Sequence, residues 1–197
     1  MVRFKPIDYE RIIRSRYLVK FSRKPLDQED LYGFVLACSE ALTLLHVLNT
    51  STFTLNGYSV VLNEDISLYA VYDRPDFYFD SKALKLKGIK PQPQPEISIE
   101  SLPALLTSID KHYPFITIHR EQISDEICFI GRLVGMTPKT FTLFEIDDCA
   151  EWDGPHRYRF KDVTKVDFGG GYEEALALVA EENARIKSKR KRGSKIK

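Results

Sequence analysis

Short apolar runs rich in Val, Ile, Phe, Tyr and Thr follow one another along the chain, and their spacing predicts strands. Residues 17–21 alternate as a half-buried strand does. Residues 31–37, 42–48, 58–62 and 66–71 add four more short β-favouring segments. Asn56-Gly57 predicts a tight turn between antiparallel partners. Ahead of them, residues 9–16 have the spacing of one or two helical turns. A second series follows at residues 115–119, 127–134, 140–146, 157–160 and 163–168. Leu102, Leu105, Leu106 and Ile109 share one face of a predicted helix over 99–111, with Pro103 in its first turn. Tyr172, Leu176 and Val179 mark the expected buried face of a helix over 172–183.

The two series read as one module written twice. Residues 17–21 match 115–119 at an offset of 98, 41–47 match 140–146 at 99, and 64–67 match 161–164 at 97. Lys82-Ala-Leu-Lys-Leu86 resembles Glu174-Ala-Leu-Ala-Leu178, so the first copy is expected to keep a shorter form of the helix, stopped by Gly88. Pro91-Gln-Pro-Gln-Pro95 excludes a helix interior or central strand and reads as an extended linker. The expected organisation is a first repeat over 1–89, a linker over 90–96, a second repeat with flanking helices over 97–184 and a disordered basic tail over 185–197.

A helix leading into five short antiparallel strands resembles the Sm-like fold, and more broadly the SH3-like small barrels. In the second copy Ile130-Gly-Arg-Leu133 looks like the strand that opens an Sm core, Phe141-Thr-Leu-Phe144 like the next, and Asp162-Val-Thr-Lys-Val166 like the last. The resemblance implies a mainly β protein of two tandem five-stranded antiparallel barrels with short helices. Asp162-Val-Thr164 stands where RNA-binding Sm proteins carry Arg-Gly.

Charge changes the picture more than composition does. The net charge is +1. Residues 1–24 carry eight Lys/Arg against two carboxylates, net +6, and residues 25–184 carry thirteen against 26, net −13. Residues 185–197 carry eight and no acid, net +8. Such a block of like charge reads as an interaction tail, with Lys187, Lys189, Arg190, Lys191, Arg192 and Lys195 as candidate phosphate contacts of a nucleic acid. No apolar run approaches a membrane span and no apolar leader opens the chain. Cys38, Cys128 and Cys149 have no close-spaced pairing, and Cys38 and Cys128 lie in apolar runs. Buried, reduced thiols in a cytoplasmic protein are the expectation.

Candidate chemistry is sparse. His46, His112, His119 and His156 show no metal-ligand spacing, and no nucleophile elbow, phosphate loop or zinc-protease motif occurs. His119-Arg120-Glu121 reads as a polar strand end before it reads as a catalytic cluster. Glu145, Asp147, Asp148, Glu151 and Asp153 lack the spacing and central glycine of a calcium loop and read as a solvated turn capped by Trp152. Gly169-Gly-Gly171 reads as a hinge, because Glu173 and Glu174 occupy the helix end an anion would use. No catalytic residue, metal or cofactor is expected. Tyr72, Phe77, Tyr78 and Phe79 form a candidate partner-binding patch. The reading is a non-enzymatic binding or adaptor module for a protein or nucleic acid; the alternative is a small-molecule enzyme with its site between the copies.

Overall fold

Val19 and Phe21 lie two residues apart on strand β1 (Leu18–Ser22), so they face the same side, and both are fully buried. They join Val35 of β2 (Leu31–Cys38), Leu45 of β3 (Leu42–Asn49) and Val61 of β4 (Thr54–Leu62) in one cluster, with Ile12 of helix α1 (Tyr9–Ser15). Tyr69 and Val71 of β5 (Leu68–Tyr72) pack on the same cluster. The computed structural model describes residues 7–193 of the 197-residue chain, without the side chains of Asp125 and residues 190–193. The fold is mainly β, with ten antiparallel strands and four helices. It divides into two units, Met1–Ser101 and Leu102–Lys197.

In the first unit the strand order is β5-β1-β2-β3-β4, every pairing antiparallel. Asp8 caps α1 by accepting the Arg11 N–H at 3.0 Å. Helix α2 (Phe79–Leu86) follows β5 and covers Leu18, Phe34 and Leu48 with Leu84. It ends as expected at Gly88, whose φ of +68° suits glycine.

The second unit has helix α3 (Leu102–His112), then β6 (Ile116–Arg120), β7 (Ser124–Met136), β8 (Thr140–Ile146), β9 (Trp152–Arg159) and β10 (Lys165–Phe168). Its order is β10-β6-β7-β8-β9, the same as in the first unit. The registers correspond residue by residue. Gly33 faces Val47 and Gly131 faces Glu145, both pairs displaced by 98. The bulge between Val35 and Ala37 recurs between Leu133 and Gly135. Short 3-10 turns, Asn63–Asp65 and Phe160–Asp162, precede the last strand of each unit. Ile66 and Val163 follow them at equivalent positions, but only Val163 is fully buried.

Several expectations need correction. Among the described pairings β4 does not join β5, nor β9 β10, so neither set of five strands closes into a hydrogen-bonded barrel. Asn56-Gly57 is not the hairpin turn: it is a bulge inside β4, opposite the register shift between His46 and Leu48. The turn is built upstream, where the Asn49 carboxamide oxygen accepts the N–H groups of Ser51 and Thr52, each at 3.0 Å. Helix α4 (Gly171–Gly193) runs through residues 185–193, so the basic stretch described is helical rather than a disordered tail, and α4 is not short. The buried face of α4 is also turned. Glu173, Leu176, Ala177 and Ala180 face inward, while Tyr172 and Val179 are exposed. A buried hydrogen bond of 2.7 Å from Thr117 Oγ1 to Glu173 sets that rotation. Cys38 is half-buried, and Cys128 and Cys149 are exposed rather than buried.

Candidate functional site

The patch expected from Tyr72, Phe77, Tyr78 and Phe79 forms where β5 runs into α2. Tyr72 ends β5, and the turn between them lifts Phe77 and Phe79 into solvent, at 70% and 75% exposure. Phe77 and Tyr78 meet edge to face at 5.2 Å, and Tyr78 meets Tyr72 at 5.1 Å. Tyr32, on β2, extends the row, 6.5 Å from Tyr72. Phe79 instead meets Phe53 of the β3–β4 turn at 5.8 Å. Arg74 lies over the Phe77 and Tyr78 rings at 4.5 and 5.5 Å and donates to the Tyr78 hydroxyl at 3.3 Å. Burial, the Tyr32 hydroxyl and the charge of Asp80 push the Tyr72 phenol up to about 12, so it remains a neutral donor. The sequence missed Tyr32 and Phe53, because nothing local to either run shows that they lie beside residues 72–79.

Beside the ring row lies a groove of ≈ 340 Å³. Its floor is Leu18, Phe34, Leu84 and Ile89, and Tyr17 and Tyr72 wall it. Arg16, Lys85 and Lys90 stand on its rim, and no carboxylate lines it. Nearby acids are already engaged: Asp73 pairs with Arg11 at 3.0 Å and Asp76 with Lys85 at 2.8 Å. Arg16 and Lys90 make no ion pair among the described residues. Arg16 closes α1 in the left-handed conformation (φ 49°, ψ 46°), a position glycine would fill without strain.

The other sequence candidates fall apart spatially. Lys187 and Lys189 lie on α4, and Lys187 forms an ion pair with Glu151. Arg190, Lys191 and Arg192 belong to the same helix, their side chains outside the described residues, as is Lys195. Arg120 turns away from His119 and Glu121, which share one ion-pair network through Asp167 and Lys165, themselves 3.8 Å apart. His119 pairs with Asp167 at 2.7 Å, Arg120 covers the Phe129 and Tyr158 rings at 4.5 and 4.9 Å, and Glu121 reaches Lys165 at 3.7 Å.

The acidic stretch is a built turn. Asp147 Oδ1 accepts the N–H groups of Cys149 and Glu151, at 3.0 and 2.8 Å, as Asn49 does in the first unit. Glu145 accepts from the Tyr158 hydroxyl, which burial and that carboxylate hold above its usual phenol range. Asp153 pairs with His156 at 2.9 Å. Among the described residues two groups, the half-buried Glu145 with exposed Asp153 and His156, and the exposed Asp147, Asp148 and Cys149, have atoms close enough to share a cation. Asp147 already serves the turn, Glu145 is engaged by Tyr158 and Asp153 by His156, and negative neighbours raise the Cys149 thiol. Trp152, expected to cap the loop, packs its ring on Phe144 at 5.2 Å and Phe115 at 6.0 Å.

Among the described residues no helix is long and apolar enough to cross a membrane. No family model, curated protein or solved structure matches this chain.

Proposed function

We propose that the chain is a binding module made of a duplicated small barrel, and that the ring row of its first unit is its recognition surface. The duplication rests on the shared strand order and on glycines, bulges and turns displaced by 97 or 98 residues. The barrel reading rests on the cluster around Val19 and Phe21, to which all five strands of the unit contribute. A leading helix and a 3-10 turn before the last strand fit the Sm-like resemblance of the sequence.

One observation carries the functional reading. Phe77 is exposed at the end of a row of rings that reaches an apolar groove at Tyr72, and Phe79 is exposed against Phe53. Such large side chains cost solvation when left in water, and contiguous exposed aromatic area marks an interaction site. The ligand is a protein. Immobilised full-length chain and a Phe77→Ser/Phe79→Ser variant are compared for capture from lysate treated with nuclease. A protein held by the wild type and lost from the variant supports the reading. Equal capture by both rejects this surface.

Nucleic acid is the second reading, favoured by the helical basic stretch that contains Lys187 and Lys189. Capture that disappears with nuclease supports it.

A further inference from the structure

The groove beside the ring row differs from the rest of the first unit in its charge. The unit as a whole is balanced, with thirteen Lys/Arg and thirteen Asp/Glu in residues 1–101. The groove wall is not. Arg16 and Lys90 are exposed and make no ion pair among the described residues, Lys85 is paired with Asp76, and no carboxylate lines the opening. Below that rim Leu18, Phe34, Leu84 and Ile89 make an apolar floor. Two chemistries therefore converge within ≈ 340 Å³, room for one large apolar side chain beneath the cations of Arg16 and Lys90.

Arg16 adds an independent pointer. Its left-handed backbone sits at the helix end, where glycine is ordinarily found, and the strain is tolerated although its side chain has no ion pair among the described residues. A guanidinium without an ion pair is suited to a planar carboxylate, which it meets with two parallel hydrogen bonds. Lys90 lies two residues before Gln92, whose N–H is tied to His46 Nδ1 at 3.1 Å, so the second cation also springs from an anchored backbone.

Resting on the reading of the ring row as a protein-recognition surface, we infer that this groove takes an acidic linear peptide, one bulky apolar residue entering between Tyr17 and Tyr72 and flanking Asp or Glu side chains meeting Arg16 and Lys90. The rings of Tyr78 and Phe77 then continue the track for the residues that follow. A nucleic acid would use the same cations but gains less from an aliphatic floor, because bases stack on ring faces and do not bury in Leu and Ile pockets.

The test is selection of a random dodecapeptide phage library on immobilised full-length chain, followed by fluorescence polarisation with the enriched peptide. Enriched sequences should combine a Phe, Leu, Ile or Trp with flanking Asp or Glu. Binding should fall at least tenfold on Arg16→Glu/Lys90→Glu, with an unchanged thermal melt, and should weaken with salt. Enriched acidic peptides that bind this variant equally well overturn the proposal. Neutral or basic peptides that depend on Phe77 and Phe79 overturn it while leaving the protein-binding surface standing. Failure to enrich any peptide overturns both. A dT oligonucleotide that displaces the peptide at lower concentration, and needs Arg16 to do so, reassigns the groove to single-stranded nucleic acid.

Discussion

Gly33 and Gly131 meet the same obstacle in the same place: a Cβ on Gly33 would lie 2.5 Å from the carbonyl oxygen of His46, and one on Gly131 would lie 2.5 Å from that of Phe144. Neither contact is with a side chain that can rotate away. In both units the first long strand crosses its neighbour at a distance only glycine permits, just before the bulge that bends the strand. Gly33→Ala and Gly131→Ala should each lower stability by roughly 1–3 kcal/mol, the usual cost of overpacking. Gly135→Ala, with open space around the new methyl, should change it by less than about 0.5 kcal/mol. Urea unfolding of the three variants makes the comparison.

The Asp147 turn supplies a second test. Because Asn49 performs the same backbone capping in the first unit, the charge of Asp147 is dispensable to the turn. Asp147→Asn should melt with the wild type, and Asp147→Ala should lose about 1 kcal/mol of hydrogen bonding. Equal loss in both would show that the carboxylate charge itself matters there, as a cation ligand would require.

Stability should also depend on His46. Its ring stacks on Tyr58 at 4.8 Å, its Nδ1 accepts the Gln92 N–H, and burial lowers its pKa below the usual value of 6.5. As pH falls through that usual value, the unfolded chain takes up the proton before the folded one does. The stabilising contribution is therefore complete above about pH 6.5 and is lost progressively below it. Denaturant midpoints at pH 7.5 and 5.0 should separate less for His46→Phe than for the wild type. Equal separation would show that other groups carry the acid sensitivity.

The strands were legible because their apolar residues alternate or run together, and residues 140–146 were placed to the residue. Register was not. Tyr17 looks like the counterpart of Phe115, both aromatic, yet the pairings make Leu18 its equivalent, and both are buried against their own sheets. The second unit carries one extra residue between its first two strands and one fewer between its third and fourth, so offsets are 97 at β1 and β4 but 98 at β2 and β3. Gly57 was misjudged because Asn-Gly signals left-handed backbone without saying whether a turn or a bulge will use it. At the candidate site, the rings of residues 72–79 were visible as one aromatic cluster. The groove beside them is assembled from residues 15–18, 34, 72–91 and so exists only after folding.

The basic stretch leads to a salt-dependent prediction. If it engages phosphates, removing residues 185–197 should weaken binding to duplex DNA and flatten the log–log salt slope by roughly 0.9 per lost phosphate contact. Asn183 would survive the cut and keep its hydrogen bonds to the Cys149 and Ala150 carbonyls at 3.4 and 3.5 Å, so the fold should remain. Equal affinity and slope for the two chains would remove nucleic acid as a role for this segment.

Anchorage of α4 has a further consequence for those same residues. Its inward face ends near Asn183, and residues 184–189 are exposed. The docked half has already met the costly nucleation step, so helix in the basic half spreads by propagation, with an equilibrium constant near one per residue. Like charges one turn apart oppose that spread. The basic half thus behaves as a charge-regulated zipper, and a bound polyanion is expected to register as added helicity in circular dichroism.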